Sequence, residues 1–417
     1  MENNSVDSDD IDTIINNPIY TTIAEYGDIN NLMFDSAVKI VIDFIIENDC
    51  IIYGGTAINY ALKLKGSFIY SDTKRPDFDF YSDNNVNLGY MLADKLIKHN
   101  FPRVKAVAAI HASTMKIFID DIISVADISF IPTVIYSKLP TIKYEKFRVI
   151  DPIFQRLDLH IALYTPLYGK PLENINHRCR KDIKRFNLLD QFYPVGSYID
   201  KVVDNRTKKT AKCGNVVFGG FVAYALLYET VKNPPETIIP LKCKIVDNSV
   251  DNSVEIVIPD FSFINIIAAE PVSGVEYNPY LGVRGSTFIK GDLQTEVDKY
   301  GISIVEIGKH KITCVEKILS YFLMEYFLSN NGIYLKFYQS LIDMVNFSDS
   351  DLFYLSNKVE FNCESEAYLK LRKNYIKVLN KEPKDNTLPK PYYSDKGKPD
   401  DYDYCNEIFK LDGLKKT

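Results

Sequence analysis

The sequence predicts a mixed α/β (α+β) fold made of two tandem lobes of one design, the second degenerate, with helical additions. Three observations support this prediction. An apolar strand runs into Gly54-Gly55-Thr56 and then into a helix, and a following strand carries Asp77-Phe78-Asp79. A weaker copy of the strand–Gly-Gly–helix pattern begins at Val216. Strands alternating with helices in this way are typical of α/β architecture.

The glycine turn is the first element with chemical meaning. It follows the apolar strand Ile51-Ile52-Tyr53 and opens a helix. Gly54 and Gly55 have no Cβ, so a phosphate could approach the backbone closely, and a helix N-terminus favours anions. We expect Thr56 to cap the helix and to offer its hydroxyl to a phosphate. Asn59 lies one turn further and could touch the same ligand, or could be an ordinary polar residue of the helix surface.

The acidic strand is the second such element. Residues two apart on a strand share a face, so Asp77 and Asp79 point the same way while Phe78 and Phe80 face the other. Paired carboxylates beside a phosphate-binding turn suit a hard divalent cation with a nucleoside triphosphate. The Asp-x-Asp spacing recurs four times elsewhere in polar surroundings, so the signal lies in the order of strand, glycine turn, helix and acidic strand.

A third carboxylate is needed if two metal ions are to be held about 3.5–4 Å apart. Asp127 is the candidate, because it is the one acidic residue in an otherwise apolar strand that follows the turn at Asp120-Asp121. A lone buried carboxylate is costly unless it is paired or bound to metal. The alternative is that Asp127 caps a turn or pairs with an arginine.

Composition excludes several classes. The chain has 417 residues, 46% of them hydrophobic and 25% charged, which is ordinary for a globular protein with room for two cores. No run of about 18 apolar residues predicts a membrane span, and the acidic N-terminus does not read as a signal peptide. The seven cysteines include no Cys-x-x-Cys and the five histidines no metal spacing, which indicates reduced thiols and no zinc site.

The net charge of −6 is unexpected for a nucleic-acid enzyme, so the distribution of charge matters more than its sum. Two basic segments could follow a phosphate backbone. The segment from His177 to Arg185 is predicted as a helix, and residues 201–212 are predicted as a loop. The alternative for both is an ordinary solvated surface. The basic candidates for RNA contact are Arg178, Arg180, Lys181, Lys184, Arg185, Lys208 and Lys209.

The predicted organisation has six parts. They are a polar arm (1–30), a catalytic domain (31–170), a basic helical connector (171–212), a degenerate copy of the catalytic domain (213–345), a helical segment (346–380) and an extended surface tail (381–417). Within them we expect helices over 31–48, 150–166, 171–193 and 311–347, and an extended hairpin or loop over the low-complexity stretch 246–254.

The strand–Gly-Gly–helix pattern of the first half is repeated further along the sequence. Gly219-Gly220 echoes Gly54-Gly55, residues 258–263 echo 75–80, and residues 302–307 faintly echo 123–128. In this alignment Thr56 corresponds to Phe221 and Asp79 to Ser262, so the second copy loses a phosphate-facing hydroxyl and a carboxylate. We therefore expect an inactive second lobe; two unrelated glycine turns are the alternative.

These residues resemble a known family. Tyr53-Gly54-Gly55-Thr56-Ala57-Ile58-Asn59, Pro76-Asp77-Phe78-Asp79-Phe80 and Asp127 resemble the polymerase-β-like nucleotidyltransferases. With the second lobe, Asp158-Leu159-His160, and the segment from Arg180 to Pro194, the chain over roughly 31–345 resembles the poly(A) polymerase catalytic subunits of large cytoplasmic DNA viruses, of poxvirus and giant-virus (mimivirus-like) type.

The resemblance implies a template-independent poly(A) polymerase that adds AMP from ATP to the 3′ end of viral mRNA. Asp77, Asp79 and Asp127 would be catalytic and would hold two Mg²⁺ or Mn²⁺ ions, while Gly54, Gly55, Thr56 and Asn59 would bind the nucleotide. RNA would lie between the lobes. For partners the resemblance leaves two alternatives: a homodimer, as in giant-virus relatives, and a separate processivity subunit, as in poxvirus relatives; we favour the homodimer. It also implies a location in the virion and the cytoplasm of the infected cell.

Two other functions stay open from the sequence. One is a nucleotidyltransferase for another acceptor, such as a small molecule or a tRNA end. The second, from a different class, is a non-catalytic RNA-binding subunit that keeps the fold. Retention of all three carboxylates in the first lobe, together with the basic segments, favours an enzyme with a polyanionic acceptor.

Overall fold

The computed structural model describes residues 27–71, 78–109, 114–164, 175–198, 206–212, 217–248, 251–259, 288–289, 304–348 and 389–399. The fold is mixed α/β, which confirms the predicted class. Residues 1–26 of the predicted arm (1–30), residues 349–380 of the predicted helical segment (346–380), and Asp77 lie outside the described residues, and the predictions made for them stay predictions. So do the predicted domain boundaries.

A large mixed sheet forms the first lobe, with the strand order β15-β3-β4-β5-β2-β1-β7-β6. Its strands are β1 (Ile51–Tyr53), β2 (Asp79–Ser82), β3 (Lys105–Ala108), β4 (Thr114–Ile119), β5 (Ile123–Phe130), β6 (Thr141–Tyr144), β7 (Phe147–Ile150) and β15 (Tyr392–Tyr393). The helices of this lobe are α1 (Gly27–Glu47), α2 (Gly54–Lys63), α3 (Asn85–Lys98) and α4 (Thr133–Tyr136).

The centre of this sheet brings the sequence motifs together. β1 pairs antiparallel with β2, and β2 pairs parallel with β5 in a register that sets Asp79 beside Asp127. Phe78 and Phe80 are 1% and 0% exposed, as expected for the face opposite the carboxylates. Helix α1 covers that apolar face, where Phe44 lies 6.5 Å from Phe80 between ring centroids. Burial on one face therefore fixes the direction in which Asp79 points.

Two further helices leave this sheet. α5 (Pro152–Tyr164) follows β7 directly, and α6 (Ile175–Phe192) is the predicted basic helix; a 3-10 turn spans Val195–Tyr198. α6 packs on α2 through an apolar cluster of Ile58, Leu62 and Leu189. The connector helix is thus held against the helix that begins at the glycine turn.

A smaller sheet forms the second lobe, in the order β12-β9-β14-β13. Its strands are β9 (Val217–Phe218), β12 (Phe288–Ile289), β13 (Ile304–Ile307) and β14 (His310–Thr313), and its helices are α7 (Gly220–Thr230), α8 (Val315–Ser329) and α9 (Ile333–Phe347). The predicted helix over 311–347 is therefore a strand followed by two helices. They are separated at Asn330, whose left-handed φ of 53° ends α8.

The topology repeats between the lobes, but in a different register from the sequence alignment. β9 pairs parallel with β14 of a hairpin, as β1 pairs with β7. Residues 302–307 were aligned with 123–128; the structure shows instead that β13 corresponds to β6, because hairpin partners and strand direction define equivalence.

The alignment of 258–263 with 75–80 stays a prediction, because residues 75–77 and 260–263 lie outside the described residues. β2 pairs antiparallel with β1, and the strand that pairs antiparallel with β9 is β12, with Phe288 opposite Phe218. Pro259 instead ends β11 (Asp251–Pro259) of a separate sheet. Ser262 lies outside the described residues, and pairing gives no support to its equivalence with Asp79.

That separate sheet has three described strands, in the order β10-β11-β8. β10 (Cys243–Asn248) and β11 (Asp251–Pro259) form the hairpin predicted for 246–254. β8 (Arg206–Lys212) was predicted as a loop; its seven residues pair in register with β11. Sequence reading missed this strand because its lysines hide the alternation, and pairing with the apolar β11 decides its structure.

Part of the predicted tail is described. β15 pairs antiparallel with β3 at the edge of the large sheet, and Tyr392 is 6% exposed. The Tyr392 hydroxyl donates to Asp94 at 2.7 Å, and Tyr90 donates to the carbonyl of Lys390 at 2.5 Å. This stretch is extended, as expected, and covers an edge strand. Within the described part of the chain, no helix is long and apolar enough to cross a membrane.

Candidate active site

The glycine turn has a left-handed residue at its centre. Tyr53 is extended and is the N-cap of α2, and Gly54 has a φ of +72°. That conformation disfavours any residue with a Cβ. The Gly54 N–H donates to Oε1 of Gln155 at 3.0 Å. The helix therefore begins at Gly54, and a side chain from α5 accepts its first N–H.

Thr56 does not cap this helix, contrary to the sequence prediction. It is the third helical residue and is 5% exposed. The N-cap position falls on Tyr53, whose side chain makes no capping hydrogen bond. A phosphate at this helix end would face the backbone N–H groups of Gly55 and Thr56 in the first turn.

Asp79 lies directly against the turn. A Cβ added at Gly54 would come 2.6 Å from Asp79 Oδ2, so only glycine lets this carboxylate approach. Across the sheet, Asp127 is the registered neighbour of Asp79, and Lys116 Nζ lies 2.8 Å from Asp127 Oδ2. Asp127 is thus part of a strand and paired with a lysine, not a turn cap. Asp77 lies outside the described residues, so its approach to this pair stays a prediction.

The carboxylates could hold a divalent metal. Their oxygens are the ligands that Mg²⁺ prefers, and two neighbouring carboxylates need cationic charge near them. Lys116 supplies some of that charge. No group of three or more acidic, histidine or cysteine residues gathers among the described residues. The pair fits a metal once a further ligand, such as Asp77 or a phosphate oxygen, completes it.

A hydrogen-bonded layer lies behind the carboxylates. The Tyr81 hydroxyl donates to Asp158, and Gln155 Nε2 lies 3.4 Å from the same carboxylate. Tyr53 and Tyr81 stack with centroids 3.9 Å apart, and the Tyr53 hydroxyl lies 2.6 Å from Ser129 Oγ. Burial, with the nearby Asp79, raises the pKa of Tyr53 well above its ordinary value, so this phenol stays neutral and can donate.

Asn59 has a different partner from the one predicted. Its side-chain oxygen accepts the N–H groups of Ile69 at 2.9 Å and Tyr70 at 3.1 Å. Asn59 is 6% exposed, so its amide fixes the segment after α2. A direct contact with nucleotide stays a prediction that no contact in the structure supports.

Arg185 reaches the glycine turn from α6. A Cβ added at Gly55 would collide with its Nη2 and come 2.6 Å from the Tyr70 hydroxyl. Nη2 donates to that hydroxyl at 2.9 Å. Burial opposes the cation, but Tyr70 and the carboxylates of Asp182 and Asp79 outweigh it, so the pKa of Arg185 is raised. Arg185 was a predicted RNA contact; here it lies beside the predicted nucleotide site.

The other basic candidates do not gather there. Lys184 is exposed on α6, and the side chains of Arg178 and Arg180 are not described. Lys208 and Lys209 are neighbours on β8, in register with Val257 and Ile256 of β11. RNA contact by these residues stays a prediction.

Sequence reading missed three residues of this site: Lys116, Tyr70 and Gln155. Gln155 precedes Asp158 by three residues and so shares its helix face, a spacing that could have flagged it. Tyr70 and Lys116 have no such signal, because only folding brings them to the turn and to Asp127.

Helix α5 also joins the two lobes. Buried Arg156 donates to Asp190 at 2.9 Å and to the carbonyl of Tyr193 at 2.6 Å, which anchors α6. His160 Nε2 lies 2.8 Å from the hydroxyl of Tyr338 on α9. Burial, with Arg156 nearby, lowers the pKa of His160 to about 3, so the imidazole is neutral.

Comparison with known proteins agrees with this geometry. A family model described as the poly(A) polymerase catalytic subunit matches residues 39–169, which contain the glycine turn and all three candidate carboxylates. The resemblance seen in the sequence is confirmed for this stretch.

Curated relatives carry the same description. A "Putative poly(A) polymerase catalytic subunit" of African swine fever virus (isolate Pig/Kenya/KEN-50/1950) is 38% identical over 234 residues, 56% of this chain and 48% of that protein. The namesake from Acanthamoeba polyphaga mimivirus is 29% identical over 168 residues, 40% of this chain and 28% of that protein. The chain thus matches about half the length of its African swine fever virus relative.

A solved structure shares the fold. The crystal structure of the Megavirus polyadenylate synthase aligns with a TM-score of 0.52 and 17% identity, and the alignment covers 92% of this chain and 84% of that one. The match therefore extends beyond the segment recognised by the family model and supports the fold described above.

Proposed function

We propose that this chain is a polynucleotide adenylyltransferase that adds AMP from ATP to the 3′ end of an RNA. One observation carries the proposal: Asp79 and Asp127 lie side by side against a glycine turn that opens a helix. The family match over 39–169 supports it, because the matched residues are those that build this site. Viral mRNA as the RNA, and the virion and host cytoplasm as the location, follow from the resemblance.

In this proposal the glycine turn holds the triphosphate. The N–H groups of Gly55 and Thr56 would donate to phosphate oxygens, while Gln155 fixes the preceding peptide through the Gly54 N–H. Because Gly54 has no Cβ, the triphosphate and Asp79 can share one small space. The turn and the carboxylate would therefore act on the same phosphates.

Asp127 would face the incoming RNA 3′-hydroxyl, since it lies one strand beyond Asp79. Asp77, Asp79 and Asp127 would hold Mg²⁺ or Mn²⁺, which when bound neutralises charge on the phosphates and favours the 3′-alkoxide. The 3′-oxygen then forms a bond to the α-phosphorus of ATP, and pyrophosphate leaves. Tyr53, which burial keeps neutral, stacks on Tyr81 and so holds β1 beside β2, the strand that carries Asp79.

Primer extension tests the proposal. Purified chain, a labelled short RNA, Mg²⁺ or Mn²⁺ and each nucleoside triphosphate in turn should give long products with ATP. Asp79→Ala and Asp127→Ala should abolish them. The matched control is Glu306→Gln, which removes an exposed carboxylate from a strand of the second lobe and should leave extension unchanged.

Other outcomes would contradict the proposal in distinct ways. RNA binding without extension by any nucleotide would favour a non-catalytic RNA-binding subunit with the same fold. Addition of single nucleotides without preference would favour a nucleotidyltransferase for another acceptor. A homodimer is a further proposal from the resemblance, and the mass of the purified chain in solution tests it.

A further inference from the structure

We propose that Arg185, held by Tyr70 and Asp182, binds the terminal phosphates of the nucleotide and makes the site selective for triphosphates. The inference rests on the proposed function and assigns the basic connector helix α6 a part in nucleotide recognition. It differs from the role expected from the sequence, in which Arg185 belongs to an RNA-binding surface.

Position is the first argument. The guanidinium lies over Gly55, so close that a methyl group there would collide with Nη2. Gly55 begins the helix end whose N–H groups are the candidates for phosphate. A phosphate bound to those N–H groups would therefore contact the guanidinium of Arg185. Residue 55 has to be glycine because a Cβ there would collide with this guanidinium.

Unused hydrogen-bonding capacity is the second argument. The Arg185 side chain is 15% exposed. Nη2 donates to Tyr70, and Nη1 lies 3.3 Å from Asp182 Oδ1. Among the described residues its buried Nε has no hydrogen-bond partner. Guanidinium donors form a planar fork that matches a phosphate, so the second N–H of Nη1 and of Nη2 would donate to phosphate oxygens while Nε stays inside the protein.

Preorganisation is the third argument. Asn59 fixes the backbone of Tyr70, so the hydroxyl that holds Arg185 has a set position. Arg156 anchors the end of α6 through Asp190. Arg185 would thus already be in place before the nucleotide binds, which reduces the entropy lost on binding.

A neighbouring lysine on the same helix provides the control. Lys184 is exposed, whereas Arg185 turns inward to Gly55. Removing either charge changes the net charge of α6 equally. If Arg185 served RNA through general electrostatics, the two substitutions would have similar effects; if it binds phosphate at the turn, they would not.

Binding without RNA and without turnover tests the inference. Wild type, Arg185→Gln, Arg185→Lys, Tyr70→Phe and Lys184→Gln are titrated with ATP, AMP and inorganic tripolyphosphate in Mg²⁺ by calorimetry. Arg185→Gln should weaken ATP and tripolyphosphate by about 10- to 100-fold, the usual range for a charge-assisted hydrogen bond, and should leave AMP within about twofold. Lys184→Gln should match wild type for all three ligands.

The conservative variants refine the result. Arg185→Lys keeps the charge and loses the fork, so it should recover only part of the affinity. Tyr70→Phe removes the hydroxyl that orients Nη2 and should weaken ATP by about 3- to 10-fold. If Arg185→Gln does not fold, as judged by circular dichroism, these two variants decide the question in its place.

Two outcomes would overturn the inference and are distinguishable. If wild type binds ATP and the Arg185 variants bind it equally well, the inference is wrong and the proposed function stands; a loss of affinity for a short RNA in these variants, titrated separately, would then place Arg185 on the RNA surface. If wild type binds neither ATP nor tripolyphosphate at millimolar concentration, the proposed function fails and the inference fails with it.

Discussion

The two glycine turns of this chain have nearly the same backbone and opposite surroundings. Tyr53 has φ −131° and ψ −172°, and Gly219 has φ −129° and ψ −170°. Each is followed by a left-handed glycine that starts a helix, Gly54 with φ +72° and Gly220 with φ +51°. By conformation, therefore, Gly54 corresponds to Gly220 and Gly55 to Phe221, one residue off the alignment made from sequence.

The neighbours of each turn differ completely. Around Gly54 they are polar: Asp79 against the glycine, Gln155 on its N–H, and Arg185 over Gly55. Around Gly220 they are aromatic, with the Tyr321 ring 3.0 Å from an added Cβ. The side chain of Phe221 packs on Phe322 and Phe337 with centroids 5.2 and 5.1 Å apart.

The helix that follows each hairpin supplies some of the side chains that differ between the two turns. α5 begins at Pro152, two residues after β7, and α8 begins at Val315, two residues after β14. Counting from these starts, Gln155 corresponds to Ile318 and Asp158 to Tyr321. The backbone conformation requires glycine in both lobes, whereas the chemistry depends on side chains from the strands and helices around the turn. The second lobe keeps the glycine that the backbone conformation requires, but not the polar side chains around it.

The largest effect should come from replacing the two left-handed glycines. Gly54→Ala and Gly220→Ala each force a Cβ into a left-handed residue, which costs about 1–2 kcal/mol in the free energy of unfolding. Only Gly54→Ala also pushes on Asp79, so it should lower AMP transfer by about 100-fold or more. Transfer per folded molecule, with folding measured by denaturation, should stay near wild type for Gly220→Ala. Equal losses of activity would show that both turns serve the reaction.

The second-largest effect concerns Gln155, whose side-chain oxygen accepts the Gly54 N–H; the equivalent position in the second lobe is Ile318, which has no side-chain acceptor. Gln155→Leu leaves the Gly54 N–H without its side-chain acceptor and should cost about 1–3 kcal/mol in unfolding free energy. Gln155→Glu keeps the acceptor oxygen and should retain more stability. Urea unfolding at pH 7.5 measures both, and equal stability of the leucine and glutamate variants would refute a role for this hydrogen bond.

A third prediction probes the contact between the lobes through His160. Its pKa of about 3 in the folded protein lies below the unfolded value near 6.5, so the unfolded chain binds the extra proton between these pH values. Stability from this group is complete above pH 6.5 and is lost as the pH falls. Wild type should lose roughly 1.5 kcal/mol more than His160→Gln between pH 6.5 and 5, measured by urea unfolding. Parallel pH profiles would contradict this prediction.

The smallest expected effects on stability come from removing the lysine of either of two lysine–carboxylate pairs, one in each lobe. Lys116 and Asp127 lie 2.8 Å apart with Asp127 20% exposed, whereas Lys311 and Glu306 lie 3.8 Å apart and are 56% and 72% exposed. Lys116→Gln should cost about 1 kcal/mol in metal-free buffer, and Lys311→Gln less than about 0.5 kcal/mol. A larger cost for Lys311→Gln would mean that the second sheet depends on its surface charges.

Much of the first lobe was predictable because its signals are local. The glycine turn, the helix after it, the Asp120-Asp121 turn and the apolar faces of β2 and β5 all follow from neighbouring residues. Strand alternation also predicted that Asp79 would face away from the core formed by Phe78 and Phe80, as it does. The existence of a second glycine turn was predicted in the same way.

The predictions that failed depended on pairing. β8 was expected to be a loop, and residues 302–307 were matched to β5. β8 instead pairs with β11, which is distant in sequence, and β13 pairs with β14 across a two-residue turn.

The sequence by itself determined the turn, the carboxylates and the order of strands and helices around them, because backbone conformation and side-chain alternation are set within a few residues. Only the tertiary structure decided which side chains meet at the turn. Gln155 lies 101 residues from Gly54, and Arg185 lies 115 residues from Tyr70. Such contacts form when whole helices pack, since packing responds to the shape of both surfaces and not to the spacing of residues along either one.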